Sequence, residues 1–183
     1  MTQTPRIAPI TEATANAEQR RVGDLIYKKR EPYQGPSAIL LHVPELAERL
    51  DRLRAHVLAA GVRKDVLQLA TLITARHWSA DYVWGVRERL ARDAGIDPAI
   101  IEAVRHRQRP DFGDSDQEAI YDYVSELLGP IGPSEGAHAR AVAVVGETGL
   151  LEVVAAVSVY TMLALTTRAA DLPAHPGATP LAR

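Results

Sequence analysis

Between Arg63 and Gly95 the apolar residues recur at spacings of three and four. Val66, Leu69, Ala70 and Ile73 share a face with His77. After a break near Trp78 and Ser79, Ala80, Val83, Trp84, Arg87, Leu90, Ala91 and Ala94 repeat the pattern. That period is helical, so the stretch predicts two helices whose stripes face a core, with Gly95 suited to the left-handed conformation that ends the second. Arg87 is a cation on a stripe that is otherwise apolar.

The flanking chain carries the same period. Residues 1–11, with Pro5 and Pro9, show none and predict an extended arm, mobile or laid on a neighbour. A helix is predicted over 13–30, with Val22, Leu25, Ile26 and Lys29 on one face. A Pro- and Gly-bearing turn follows over 30–37, then a short apolar piece over 38–42. Pro44 suits the first turn of a helix over 45–60 that turns Leu46, Leu50, Leu53 and Val57 inward. Beyond the central pair, Asp97 and Pro98 open a helix to about residue 106, and a loop spans 107–114. Ser115 with Glu118 has the spacing of a capping box for a helix to 128. A helix over 134–147, a break at Thr148 and Gly149, and a long apolar helix over 150–169 complete the body. The tail, 171–183, holds Pro173, Pro176 and Pro180 and is expected to be disordered. The prediction is an all-α single domain of six to eight helices spanning 1–183.

Composition narrows the function classes. Aromatic residues are 5% of the chain and no stretch alternates in the strand period, which favours helices over sheets. A net charge of −2 with no clustered basic face argues against a nucleic-acid partner. No membrane span is expected: the apolar helix over 150–169 carries Glu152 with Ser and Thr residues, which suits a buried core or an oligomer interface. The first residues lack the apolar segment of a secretory signal, so a cytoplasmic location is expected. Cysteine is absent, which excludes disulfides, thiol nucleophiles and Cys-based metal sites. No two of the six histidines stand at i,i+3 or i,i+4, and neither a metal nor a cofactor is expected.

The candidate chemistry centres on Arg87. A guanidinium keeps its proton inside a protein, so a buried one requires an anion. That anion is Glu152, Asp65, a carboxylate of another subunit, or the carboxylate of a ligand held bidentate; the other reading is a side chain that snorkels to the surface. His42, after the run ILL, is a candidate general base or a core histidine bonded to a backbone carbonyl. His77 either titrates in a pocket or caps the end of its helix. Glu152 on the apolar last helix is either paired or has a raised pKa suited to proton transfer. Tyr82 and Trp84 are core residues or pocket walls, and Tyr27 and Tyr33 flank a turn long enough to cover a pocket.

The segments GPSAILLHVPELAERL (35–50), QLATLITARHWSADYVW (68–84), RLARDAGI (89–96) and LLEVVAAVSVYTMLAL (150–165) resemble, in the same order, those of the carboxymuconolactone decarboxylase-like proteins, which have the alkylhydroperoxidase D-like fold. The resemblance covers about residues 20–168. It implies that fold and a homo-oligomer, a trimer or a multiple of trimers. In the family's peroxidase branch a glutamate, a Cys-x-x-Cys pair and a histidine form a proton relay. The matching positions here are Gln68, Ala80, Val83 and Arg87. In the decarboxylase branch the positions of Val83 and Arg87 are usually Glu and His. A thiol peroxidase is therefore disfavoured. Two classes remain. One is a non-redox lyase, decarboxylase or hydrolase acting on a small carboxylate-bearing lactone or aromatic acid, with Arg87 as anion clamp, His77 or His42 moving the proton, and Tyr27, Tyr33, Tyr82, Trp84, Gln68 and Val83 shaping the site. The other is a catalytically silent binding or structural oligomer.

Overall fold

The computed structural model describes residues 4–28 and 32–181. Among them are eight α-helices and no strand: α1 (Ala17–Tyr27), α2 (Gly35–Leu40), α3 (Pro44–Ala59), α4 (Lys64–His77), α5 (Asp81–Asp93), α6 (Pro98–Arg105), α7 (Ser115–Leu127) and α8 (Glu135–Ala170). The all-α prediction holds. The central helix is α4, which packs against α5, α6, α7 and α8. From Val66 to Arg76 every residue except Gln68 is buried. The helix is thus enclosed on nearly all sides rather than along one stripe. Thr71 and Thr74 tolerate this because their hydroxyls donate to the carbonyls of Gln68 and Ala70 on their own helix.

The hinge into α5 runs through Ser79 in the left-handed region (φ 46°). Arg76 reaches over this hinge, donating to the carbonyl of Arg105 and the hydroxyl of Ser79. Gly95 (φ 83°) closes α5, as its position in the sequence predicts.

Several boundaries move, each for a local reason. Helix α1 starts at Ala17, because Asn16 and Gln19 exchange both hydrogen bonds of a capping box. Leu25 on its predicted inner face is exposed, and Lys29 lies outside the described residues. The cap of α7 is Asp114 rather than Ser115: its carboxylate accepts from the amides of Asp116 and Gln117, and Ser115 enters the first turn. The inward stripe of α3 is Ala47, Leu50, Arg54 and Val57, which leaves Leu46 and Leu53 exposed. The break in the last helix falls at Gly146 (φ 68°) and not at Thr148 and Gly149, because Gly146 takes the positive φ.

The arm and the tail, over their described residues, lie on the chain's own body. The arm is tied by the amide of Ile10 to the carbonyl of Ala38 and by the amide of Arg6 to the carbonyl of Ala170. The tail, expected to be disordered, is held against the body over its described residues, 171–181. Leu181 is buried, its amide donates to Asp81 (2.6 Å), and Ala178 and His175 lie over Gly85 of α5. Proline content alone misjudged it, because the contacts that hold it are long-range.

Candidate functional site

A cavity of about 660 Å³ opens between α1, α2, α3, α5, α8 and the tail. Tyr27, Tyr82, Val83, Val86, Leu163 and Tyr160 supply its apolar and aromatic walls. Lys28, Arg54, Arg87 and Arg89 supply four cations, and no carboxylate among the described residues lines it. Arg54 is paired with Asp51 on its own helix.

Arg87 is 6% exposed. Its guanidinium lies over the Tyr160 ring (4.7 Å to the centroid) and donates a long hydrogen bond to Gln68 Oε1 (3.4 Å). Among the described residues, its Nε and the Tyr160 hydroxyl are both buried without a hydrogen-bond partner. Burial, opposed by the nearby Tyr160 and reinforced by the neighbouring Arg54 and Arg89, lowers its affinity for the proton. It remains a cation, because an arginine side chain starts so far above neutrality. The anion that the sequence demanded is not Glu152, which meets His56 (3.1 Å) on another face, beside a separate cleft. Nor is it Asp65, which pairs with Arg63 and accepts from Gln117.

The aromatic wall has a second layer. Tyr27 donates from its hydroxyl to the carbonyl of Gln34, and burial raises its pKa. Tyr33 stacks behind it (5.1 Å, 20°), outside the cavity lining, with its hydroxyl on Asp24 (2.7 Å). Burial first, and then Asp24, push the Tyr33 phenol up to about 12. Gly35 at φ +67° brings the backbone against Tyr82, whose ring would stand 2.6 Å from any Cβ there.

Of the residues singled out from the sequence, Arg87, Tyr82, Val83 and Tyr27 line the cavity, with Gln68 beneath Arg87 and Tyr33 behind Tyr27. Trp84 faces away: fully buried, it donates to Glu88 and lies under Arg105. His77 is exposed at the end of α4, edge-on to Trp78, nine residues or about 13 Å of helix from Gln68. Partial desolvation and Arg107 lower its pKa, which weakens the helix-capping role of its cation. His42 is exposed and bonds the carbonyl of Ala8, so it anchors the arm. His42, His77 and Glu152 are therefore not gathered around the cavity.

Sequence reasoning missed Arg54, Arg89, Lys28, Tyr160 and His175. Tyr160 carried a signal, since it follows Val153, Ala156 and Val157 on the inner face of α8. Arg54 lay next to a stripe read as Leu46, Leu50, Leu53 and Val57, of which Leu50 and Val57 are buried while Leu46 and Leu53 give way to their neighbours Ala47 and Arg54. His175 had none, being in a segment without a period. Among the described residues no three His, Asp or Glu side chains converge into a metal-binding group.

This all-helical architecture is shared with two crystal structures of the debrominase Bmp8. A cysteine-to-alanine variant in complex with 2,3,4-tribromopyrrole matches with a TM-score of 0.74 and 14% identity, over 93% of this chain and 91% of that one. The apo form matches with a TM-score of 0.73 and 13% identity, over 96% and 94%. At such identity the likeness concerns the fold. No protein-family model and no curated protein matches the sequence.

Proposed function

We propose that the Arg87 cavity binds a small aromatic or lactone carboxylate, and that the chain is a non-redox enzyme of the carboxymuconolactone decarboxylase-like type. The observation that carries this is a buried guanidinium with no carboxylate partner among the described residues and an unsatisfied Nε, on the wall of a cavity rich in cations and tyrosines. An incoming carboxylate supplies the missing anion, and the Tyr160 hydroxyl gains a partner. The tribromopyrrole in the Bmp8 complex supports a small aromatic ring as the kind of molecule this fold accommodates. A lyase or hydrolase step fits better than thiol chemistry, since the chain has no cysteine.

Arg87 stabilises the anion it grips, so a carboxylate held there resists leaving. The reacting bond is then elsewhere on the ligand, at a lactone carbonyl or a second carboxylate. The test is calorimetric titration of wild type and Arg87→Met with benzoate, followed by product analysis with aromatic acids and their lactones. Saturable binding that the substitution weakens supports the proposal, and equal binding by both proteins refutes it. A silent binding protein is the second reading, favoured by the distance of His42, His77 and Glu152 from the cavity. Saturable binding with no product from any acid or lactone selects it.

Assembly belongs to the same proposal. Leu151, Ala155, Ser158, Met162 and Leu165 follow one line along α8, with Leu151 70% and Leu165 44% exposed. The Ser158 hydroxyl is already satisfied by the carbonyl of Val154, so the line can be buried without stranding a polar group. A homo-oligomer packed on this line removes the apolar surface from water.

A further inference from the structure

We infer that the C-terminal segment 172–181 is a working wall of the Arg87 cavity, and that His175 selects for a hydroxyl group on the bound aromatic acid. The inference rests on the carboxylate reading of that cavity and refines its ligand class.

The segment is built to lie where it does. Gly85 leaves a gap on α5: a Cβ there would stand 2.5 Å from the Ala178 Cβ and 3.1 Å from the His175 Cβ. Beyond that gap the segment is pinned by the buried Leu181, whose amide donates to Asp81. His175 and Pro176 thereby line the cavity, and the imidazole meets the Tyr82 ring edge-on (5.2 Å, 70°).

The ring's orientation carries chemistry. Nδ1 lies 2.9 Å from the carbonyl of Pro176. A carbonyl only accepts, so Nδ1 donates, and the neutral ring keeps its lone pair on Nε2. Among the described residues, the charged side chains that line the cavity, Lys28, Arg54, Arg87 and Arg89, are all donors. His175 therefore adds an acceptor to a donor-rich cavity. Its natural complement is a ligand that bears a carboxylate for Arg87 and an O–H for Nε2. That describes a hydroxylated aromatic or cyclic acid rather than a bare one.

The test is calorimetric titration of the full chain with benzoate and the three hydroxybenzoates. Wild type is expected to bind at least one hydroxybenzoate about fivefold more tightly than benzoate, the worth of one neutral hydrogen bond. His175→Phe keeps an aromatic edge on Tyr82 and removes the acceptor, and should equalise the acids. Gly85→Ala should weaken all the acids by pushing the segment away. Adding Ala178→Gly to Gly85→Ala removes the closer of the two collisions and should restore binding.

No hydroxyl preference in wild type, or a preference that survives His175→Phe, overturns the role of His175. Unchanged binding in Gly85→Ala overturns the segment as a wall. In either case loss of benzoate binding in Arg87→Met leaves the carboxylate reading intact. Benzoate binding that is absent, or indifferent to Arg87→Met, removes both.

Discussion

Arg87→Met separates a ligand-binding cation from a structural one. Methionine keeps the length and apolar contact of the side chain and removes its charge and donors. The structure sets the stability change from two opposing parts. The contact over Tyr160 and the long bond to Gln68 are lost, together worth about 1–2 kcal/mol. Removing a desolvated guanidinium whose Nε has no partner returns about 1–3 kcal/mol. The net lies within about 2 kcal/mol of zero, a shift of at most about 8 °C in Tm for a chain this long. Affinity behaves differently. A charge-assisted bond to a carboxylate is worth about 1.5–3 kcal/mol, so Kd should rise about tenfold to a hundredfold. In a melting assay, wild type at a hundredfold excess of ligand over Kd gains about 2.7 kcal/mol, a rise of roughly 5–10 °C, of which the variant keeps at most about half at the same ligand concentration. A variant that melts more than about 10 °C below wild type would mean that an anion of the protein had been orphaned, at a cost of about 3–5 kcal/mol. If wild type also shows no carboxylate-dependent shift, the cavity reading is refuted.

Other consequences follow from the same geometry. Replacing Leu151 and Leu165 together by Glu should reduce the particle mass in light scattering to that of a folded monomer, and a wild type already monomeric refutes the α8 interface. The Asp65 carboxyl is held at about 2 by Arg63, and to a lesser extent by Gln117. Its folded pKa lies below its unfolded value, so its contribution is full above about pH 4 and is lost as pH falls toward 2. Because Arg63 is about half exposed and the pair is screened by solvent, Asp65→Asn should therefore cost about 1 kcal/mol at pH 7 and almost nothing near pH 2, read from urea unfolding at both pH values. Equal costs at the two pH values would exclude the ion pair as the cause. Gly23→Ala pits a helix gain of about 1 kcal/mol against the Tyr33 ring, whose hydroxyl would stand 2.6 Å from the new Cβ. Tyr33 is held by Asp24 and by its stack on Tyr27, so packing should win. A net loss of about 1–3 kcal/mol is expected, and a variant that melts above wild type contradicts it.

The sequence by itself determined the helices and their order. Period, caps and breakers are local, and local free energies placed α4, α5, α6, the turn at Gly95 and the apolar last helix. It also singled out Arg87, because a charge on an apolar stripe conflicts with its surroundings wherever the chain folds. The removal of thiol chemistry needed only composition. Tertiary structure decided which residues meet. Choosing Leu53 over its neighbour on α3 hid Arg54, and the long-range docking of the tail on Gly85 hid His175. That Glu152 does not answer Arg87 depended on the register of α8 against α3 and α5. That register gave Glu152 to His56 and set Tyr160, eight residues on, beside Arg87. The partners of a buried charge are chosen by packing across elements far apart in sequence, and no local pattern encodes that choice.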